Sequence, residues 1–236
     1  MRFIEHIIEP TKLLLAWQSS DETHRTRYIV AELNRMENDI SLTYLVNTQE
    51  FHKAQAKGFE SYPAFQDINK IHYNVLDAFM RRLPPRTRGD FSLYMESLRL
   101  QPKAQLSDFA LLGYSGAKLP SDGFSIIHPF YNVDDACELL LEVAGFRHIK
   151  NNHDEIKIND TASFVKEFND TIQEDAIRII TDKKYIGYVN RGLLPTFFDW
   201  MNSGRIIGAW IDKINGTPGK PTVYLYVKIA PINKFR

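Results

Sequence analysis

FVKEFNDTIQEDAIRIITDKKYIGYV, residues Phe164–Val189, holds three short apolar or alternating runs in close succession: Phe164–Phe168, Ala176–Thr181 and Tyr185–Val189. Runs of this length, rich in β-branched and aromatic residues and parted by polar ones, read as strands. Working outward, Leu139–Phe146 reads as a strand ahead of them. Behind them Leu194–Met201 reads as one amphipathic helix closed by Gly204. Two more strands follow, Ile206–Ile211 and Val223–Ile229, the latter alternating as Val223, Leu225, Val227 and Ile229. Several short strands with one inserted helix predict a small β-barrel, near the OB-fold in size.

The earlier part of the chain has a different grain. Lys12–Gln18 and Arg27–Leu33 read as paired strands, and Ile40–Val46 as a third. Val75, Leu76, Phe79 and Leu83 then stand at helical spacing over His72–Leu83, which Pro84 and Pro85 end. Asp90–Leu98 repeats the pattern with Phe91, Tyr94, Met95 and Leu98. Ser107 or Asp108 is placed to cap a further helix through Leu112, stopped at Gly113. Phe124–Ile127 returns to strand character, and the polar stretch from Pro129 to Asp135 reads as a boundary. The expectation is an α+β chain: residues 1–132 a small mixed sheet with helices, residues 138–236 the OB-like barrel.

Composition narrows the function classes. The chain has 236 residues, 44% apolar and 25% charged, as a soluble globular protein has. No apolar run approaches the ~20 residues of a membrane span, and Glu5, His6 and Glu9 interrupt the opening stretch as no signal peptide would. Cys137 is the single cysteine, so neither an internal disulfide nor a thiolate zinc cluster can form. A cytoplasmic location is expected. Residues 1–140 carry 15 Lys and Arg against 18 Asp and Glu, residues 141–236 carry 14 against 11. A mildly basic second half permits a nucleic-acid site without requiring one.

Catalytic signatures fail. Asn215–Thr222 (NGTPGKPT) has a Gly219–Lys220 pair at the wrong spacing for a phosphate-cradling loop and reads as a turn between strands. Gly113–Lys118 fails likewise. No HExxH pair, nucleophile elbow or kinase loop occurs. The expectation is no enzyme, no cofactor and no metal.

Read in order, Val143–Ile149 (VAGFRHI), Glu167–Ile180 (EFNDTIQEDAIRII) and Lys184–Arg191 (KYIGYVNR) carry a Gly-x-Arg start, an acidic-Asn loop and an I-G-Y strand ending in arginine. This succession resembles the HIRAN domain over residues 138–230. The resemblance implies an OB-like barrel that, in helicase fusions, captures the 3′ end of single-stranded DNA. It places Arg147 after the first strand and His148 where relatives stack an aromatic on a base. Tyr188 and Arg191 fall at positions that touch phosphates. Two departures stand out: Ile149 replaces the second aromatic, and Gln173 replaces the aspartate that holds the terminal nucleotide. The residues themselves offer the same chemistry, with Arg147, Lys150, Lys184 and Arg191 as cations and His148, Tyr185 and Tyr188 as rings. By spacing alone, Tyr185 and Tyr188 read more readily as strand formers packing across a sheet.

Phe79–Leu83 with Pro84, Leu98–Leu100, Ser107–Leu112 and Asp122–Ile126 resemble the small N-terminal subdomain of HipA-type toxin kinases, over residues 12–127. In split systems a separate protein of this kind neutralises the kinase, so the resemblance implies an antitoxin-like role with a HipA-like kinase as partner. Arg81, Arg82, Arg86 and Arg88 are the candidate contact; a solvated helix end explains them as well. Together the two resemblances lead to the expectation of a non-catalytic adaptor binding single-stranded DNA or DNA ends, away from membranes. The rival is a protein-interaction module whose barrel holds no nucleic acid, which Ile149 and Gln173 favour.

Overall fold

The computed structural model describes the chain apart from residues 20–25, 150–155, 170–173, 183, 218–219 and 233–236, and for residues 148, 169, 174 and 220 it describes the backbone alone. The chain forms two compact units. One is Ile8–Tyr131; the other combines Asn132–Arg236 with the first seven residues, Met1–Ile7.

The unit Ile8–Tyr131 is built on a four-stranded sheet of β1 (Lys12–Gln18), β2 (Arg27–Arg35), β3 (Ile40–Tyr44) and β4 (Phe124–Ile127), in the order β3-β2-β1-β4. Every pairing is antiparallel, where a mixed sheet was expected. The reason is the long excursion through α1 (Gln49–Gln55), α2 (Leu76–Met80), α3 (Phe91–Ser97) and α4 (Asp108–Ser115), which returns β4 beside β1 from the opposite direction. Leu13, Leu15, Leu33 and Leu42 on the strands are buried with Phe51, Phe79, Met95, Phe109 and Leu111 on the helices. This apolar burial is the main stabilising term of the unit.

Two helices depart from expectation. The helix expected over His72–Leu83 shrinks to α2, because the residues before it are engaged with the sheet. His72 exchanges backbone bonds with Leu42 (2.8 and 3.0 Å) and the Val75 N–H reaches the Ile40 carbonyl at 3.2 Å. α4 begins where expected, with Ser107 Oγ accepting from the Ala110 N–H at 3.0 Å. It runs past Gly113 to Ser115 and is capped by left-handed Gly116; Gly113 serves close packing instead, since a Cβ there would lie 2.8 Å from Leu13 Cδ2.

The second unit carries a six-stranded antiparallel sheet. Its strands are β5 (Cys137–Glu142), β6 (Thr161–Asn169), β7 (Glu174–Thr181), β8 (Lys184–Tyr188), β9 (Ile206–Thr217) and β10 (Lys220–Ile229), in the order β5-β10-β9-β6-β7-β8. α5 (Leu194–Asn202) buries Phe197 and Trp200 against the apolar faces of these strands. Alternation decides those faces: Leu139 and Leu141, Ile177 and Ile179, and Val223, Leu225, Val227 and Ile229 are all buried. β5 stops at Glu142 rather than Phe146, since Gly145 takes a left-handed φ of 79° and turns the chain into a 3-10 turn, Phe146–His148. β9 and β10 form the expected hairpin around Asn215–Thr222, pairing Thr217 with Lys220.

Two buried charges fix the boundary segments of this unit. Arg205 donates to four backbone carbonyls, those of Ala230 (2.8 Å), Val133 (2.6 Å), Asp134 (3.2 Å) and Asp135 (2.9 Å). Glu138 is fully buried on β5, and its carboxylate accepts the N–H groups of Glu5 and His6, both at 3.0 Å, with His6 Nδ1 at 3.1 Å. Ile4 is buried beside this anchor and the Tyr226 hydroxyl donates to the Phe3 carbonyl at 2.8 Å. The opening seven residues are thereby a strap across the sheet of the later unit.

Candidate nucleic-acid interface

β8 is the outer strand beyond β7, and its register carries the site. Arg178 pairs with Tyr188, Ile179 with Gly187, Ile180 with Tyr185 and Thr181 with Lys184; Ile186 is the extra residue of a bulge. Arg178 and Ile180 lie on one face of β7, so their partners Tyr188 and Tyr185 share that face. Three residues apart on a regular strand they would oppose one another. The bulge is what brings the two rings together, 5.3 Å between centroids at 68°. It also turns Ile186 into the core, where it is fully buried.

Arg178 extends the pair. Its guanidinium lies 5.0 Å from the centre of the Tyr185 ring and bonds the Glu167 carboxylate at 2.5 Å. Desolvation first, and then the hydrogen bond with Tyr188, push the Tyr185 hydroxyl well above the usual phenol range. Tyr185 therefore acts as a neutral ring with a polar tip.

The other side of β8 meets the chain that leaves β5. Ala144 and Tyr188 exchange reciprocal backbone bonds, both 2.9 Å. Gly187 permits this approach: its φ is 139°, and a Cβ would stand 2.4 Å from the Ala144 carbonyl oxygen. Ala144 is three residues before Arg147, whose turn is pinned by buried Phe146. Tyr188 is three residues before Arg191, which opens a second 3-10 turn, Arg191–Leu193, with Asn190 Oδ1 accepting from the Gly192 N–H at 3.0 Å. One bridge thus gathers the Arg147 turn, Tyr188 and the Arg191 turn at one end of β8.

The remaining expected residues distribute differently. Lys184 sits at the far end of β8, at the register position of Thr181, which alternates with that of Tyr185 and Tyr188. His148 is on the 3-10 turn, but its side chain, with Lys150 and Gln173, lies outside the described residues. Arg178 and Glu167 were not anticipated. Arg178 is the single charge within Ala176–Thr181, and period-two reading would have put it on the face opposite Ile177 and Ile179.

The four arginines of the first unit separate as well. Arg82 is buried and forks onto Asp122 (2.8 Å twice), with further bonds to the Ala117 and Phe124 carbonyls at 2.7 and 3.1 Å. It is an internal brace and does not present its charge at the surface, because every arm of the guanidinium has an inward partner. Arg81, Arg86 and Arg88 are exposed; Arg86 pairs with Asp108 at 2.8 Å and Arg88 with Asp90 at 2.5 Å.

Among the described residues, one group has metal-ligand chemistry: Glu5, His6 and Glu138, whose donor atoms lie within 4.8 Å of one another. The Glu138 oxygens are already engaged by the strap, so the group is explained as its anchor. Among the described residues, no helix is long and apolar enough to cross a membrane. No protein-family model, no curated protein and no solved structure matches the chain.

Proposed function

We propose that the chain is a non-catalytic, cytoplasmic nucleic-acid-binding adaptor whose later unit, a HIRAN-like barrel, holds single-stranded DNA or DNA ends. The observation that carries this reading is the Ala144–Tyr188 bridge. It joins the continuation of β5 to β8, the two outermost strands of the sheet, as closure of a small barrel would. At that seam it sets the Tyr185–Tyr188 pair beside the turns bearing Arg147 and Arg191. Unpaired bases need rings to stack on, each worth ~1–3 kcal/mol, and cations along the backbone.

The test is fluorescence anisotropy with a labelled oligothymidylate of about 12 nucleotides, a length within the site sizes of such folds. Wild type should bind, and bind less tightly as salt rises. The pair Arg147→Ala with Arg191→Ala should weaken binding by tenfold or more, about 1.4 kcal/mol. Equal binding by wild type and the double variant at low salt would sink the reading.

The unit Ile8–Tyr131 is proposed to dock a HipA-like kinase in an antitoxin-like role, with Arg81, Arg86 and Arg88 as its surface cations. Co-expression with such a kinase tests it: a co-purifying complex and relief of toxicity are expected, and neither appearing removes the claim. A second reading of the later unit, a protein-interaction module, is favoured by one observation. Arg178 is already shared between Glu167 and the Tyr185 ring, so it has less to offer a phosphate.

A further inference from the structure

β6 has a full ladder on one side and very little on the other. It pairs with β7 from Ala162 to Asn169 without a shift in register, but with β9 only at Thr161 and Ala162. Among the described residues, no backbone hydrogen bond reaches Ser163–Phe168 from the β9 side. An antiparallel strand with one partner leaves every second N–H and C=O directed away from it. Such an edge is usually guarded by lysine, proline, a bulge or a covering element.

Here the guards are missing or diverted. Thr161–Asn169 contains no proline, and its pairing to β7 has no bulge. Lys166, the residue that would ordinarily repel an incoming strand, donates to Asn202 Oδ1 and lies 5.6 Å from the Phe198 ring, both on α5. Glu167 is paired with Arg178 at 2.5 Å. The side chains left outermost are apolar: Val165 is 45% exposed and Phe168 54%.

We infer that the Ser163–Phe168 edge of β6 is a docking site for an extended polypeptide segment of a partner protein, which adds a strand to the sheet and covers Val165 and Phe168. The ligand chemistry follows from the edge. Regularly spaced donors and acceptors are matched by another extended backbone, with apolar side chains placed to meet Val165 and Phe168. The phosphate backbone of a polyanion offers acceptors alone, so it would leave the carbonyls of this edge unanswered. A second copy of this chain is the poorer occupant. Six residues of edge pairing with two apolar side chains fall well short of the ~1,200 Å² that a stable dimer interface needs.

The probe is a fluorescein-labelled peptide copying β7, Glu174–Thr181 (EDAIRIIT), a sequence already complementary to β6 in the fold. Added to the full chain, it should show saturable anisotropy, with slowed amide hydrogen exchange confined to Ser163–Phe168. Val165→Lys with Phe168→Lys should weaken it by about tenfold or more, and so should proline at the two isoleucines corresponding to Ile177 and Ile179 of the peptide. The proline peptides decide between the outcomes if the lysine pair unfolds the protein. No saturable binding, or protection elsewhere on the sheet, would overturn the inference. So would a concentration-dependent dimer of the free chain that the lysine pair dissolves, since the edge would then belong to a second copy. Saturating the wild type with peptide should leave its oligothymidylate binding unchanged, which separates this site from the one at Tyr188.

Discussion

His128 shows how one buried group makes stability depend on pH. Its ring stacks on Phe130 at 3.8 Å, Nδ1 accepts the Phe130 N–H at 3.0 Å, and Nε2 faces the Ile8 carbonyl at 3.2 Å. The neutral ring with its proton on Nε2 satisfies both bonds, whereas a proton on Nδ1 would break one. Burial is the largest cause lowering its pKa from 6.5 to about 4, only partly offset by the Ile8 carbonyl and by Glu9. The unfolded chain therefore takes up the proton first. Folding stability should be fully present above about pH 6.5, fall by up to ~1.4 kcal/mol per unit below it, and level off near the folded pKa. Urea unfolding at pH 7, 5.5 and 4.5 measures this, and His128→Phe should flatten the slope; an unchanged slope would show that other groups set it. Arg82 gives a second prediction at this scale. Arg82→Ala leaves Asp122 and two carbonyls without their donor and should cost ~3 kcal/mol in chemical unfolding, near the lower end for a broken buried pair because Asp122 still reaches solvent. In the sequence Arg82 is indistinguishable from Arg81, Arg86 and Arg88. What sets it apart is a carboxylate forty residues away, which no local pattern announces.

The strands were the legible elements, because their signal is local. β1 and β4 lie where their short apolar runs put them, and Ser107 caps α4 as its side chain allows. The illegible parts depend on distant backbone: α2 is cut short by the His72–Leu42 pairing, and α4 continues past Gly113, which serves close packing against Leu13 instead of ending the helix. The candidate site divides the same way. Tyr188 and Arg191 are close in sequence and their association could be read; the Tyr185–Tyr188 contact rests on a bulge, and Arg178 on a register, that only pairing reveals. Gly187 tests this element. Gly187→Ala would force a Cβ to within 2.4 Å of the Ala144 oxygen at a φ of 139°. Faster exchange of the Ala144 and Tyr188 amides, a lower melting temperature and weaker oligonucleotide binding should appear together. If binding falls while those two amides stay protected, the bridge is not what organises the site.

At the scale of the molecule, burial pushes the Cys137 thiol up to about 12, so the folded chain should resist iodoacetamide at pH 8 and react once unfolded. Rapid labelling of the native protein would show that β5 opens far more readily than its burial implies. The strap gives a sharper test. Deleting Met1–Ile7 removes Ile4 from the core and takes away the backbone donors that satisfy Glu138, together at least ~2 kcal/mol. The melting transition of the later unit should drop, while that of Ile8–Tyr131 stays.

Because one unit is threaded into the sequence of the other, the order of synthesis and the order of folding cannot coincide. A ribosome releases the strap, then the whole of Ile8–Tyr131, and only afterwards the sheet on which the strap belongs. The inserted unit can settle while translation continues. The strap must stay unattached until Glu138 and Tyr226 have emerged, so an early docking elsewhere would be a characteristic way for this chain to misfold.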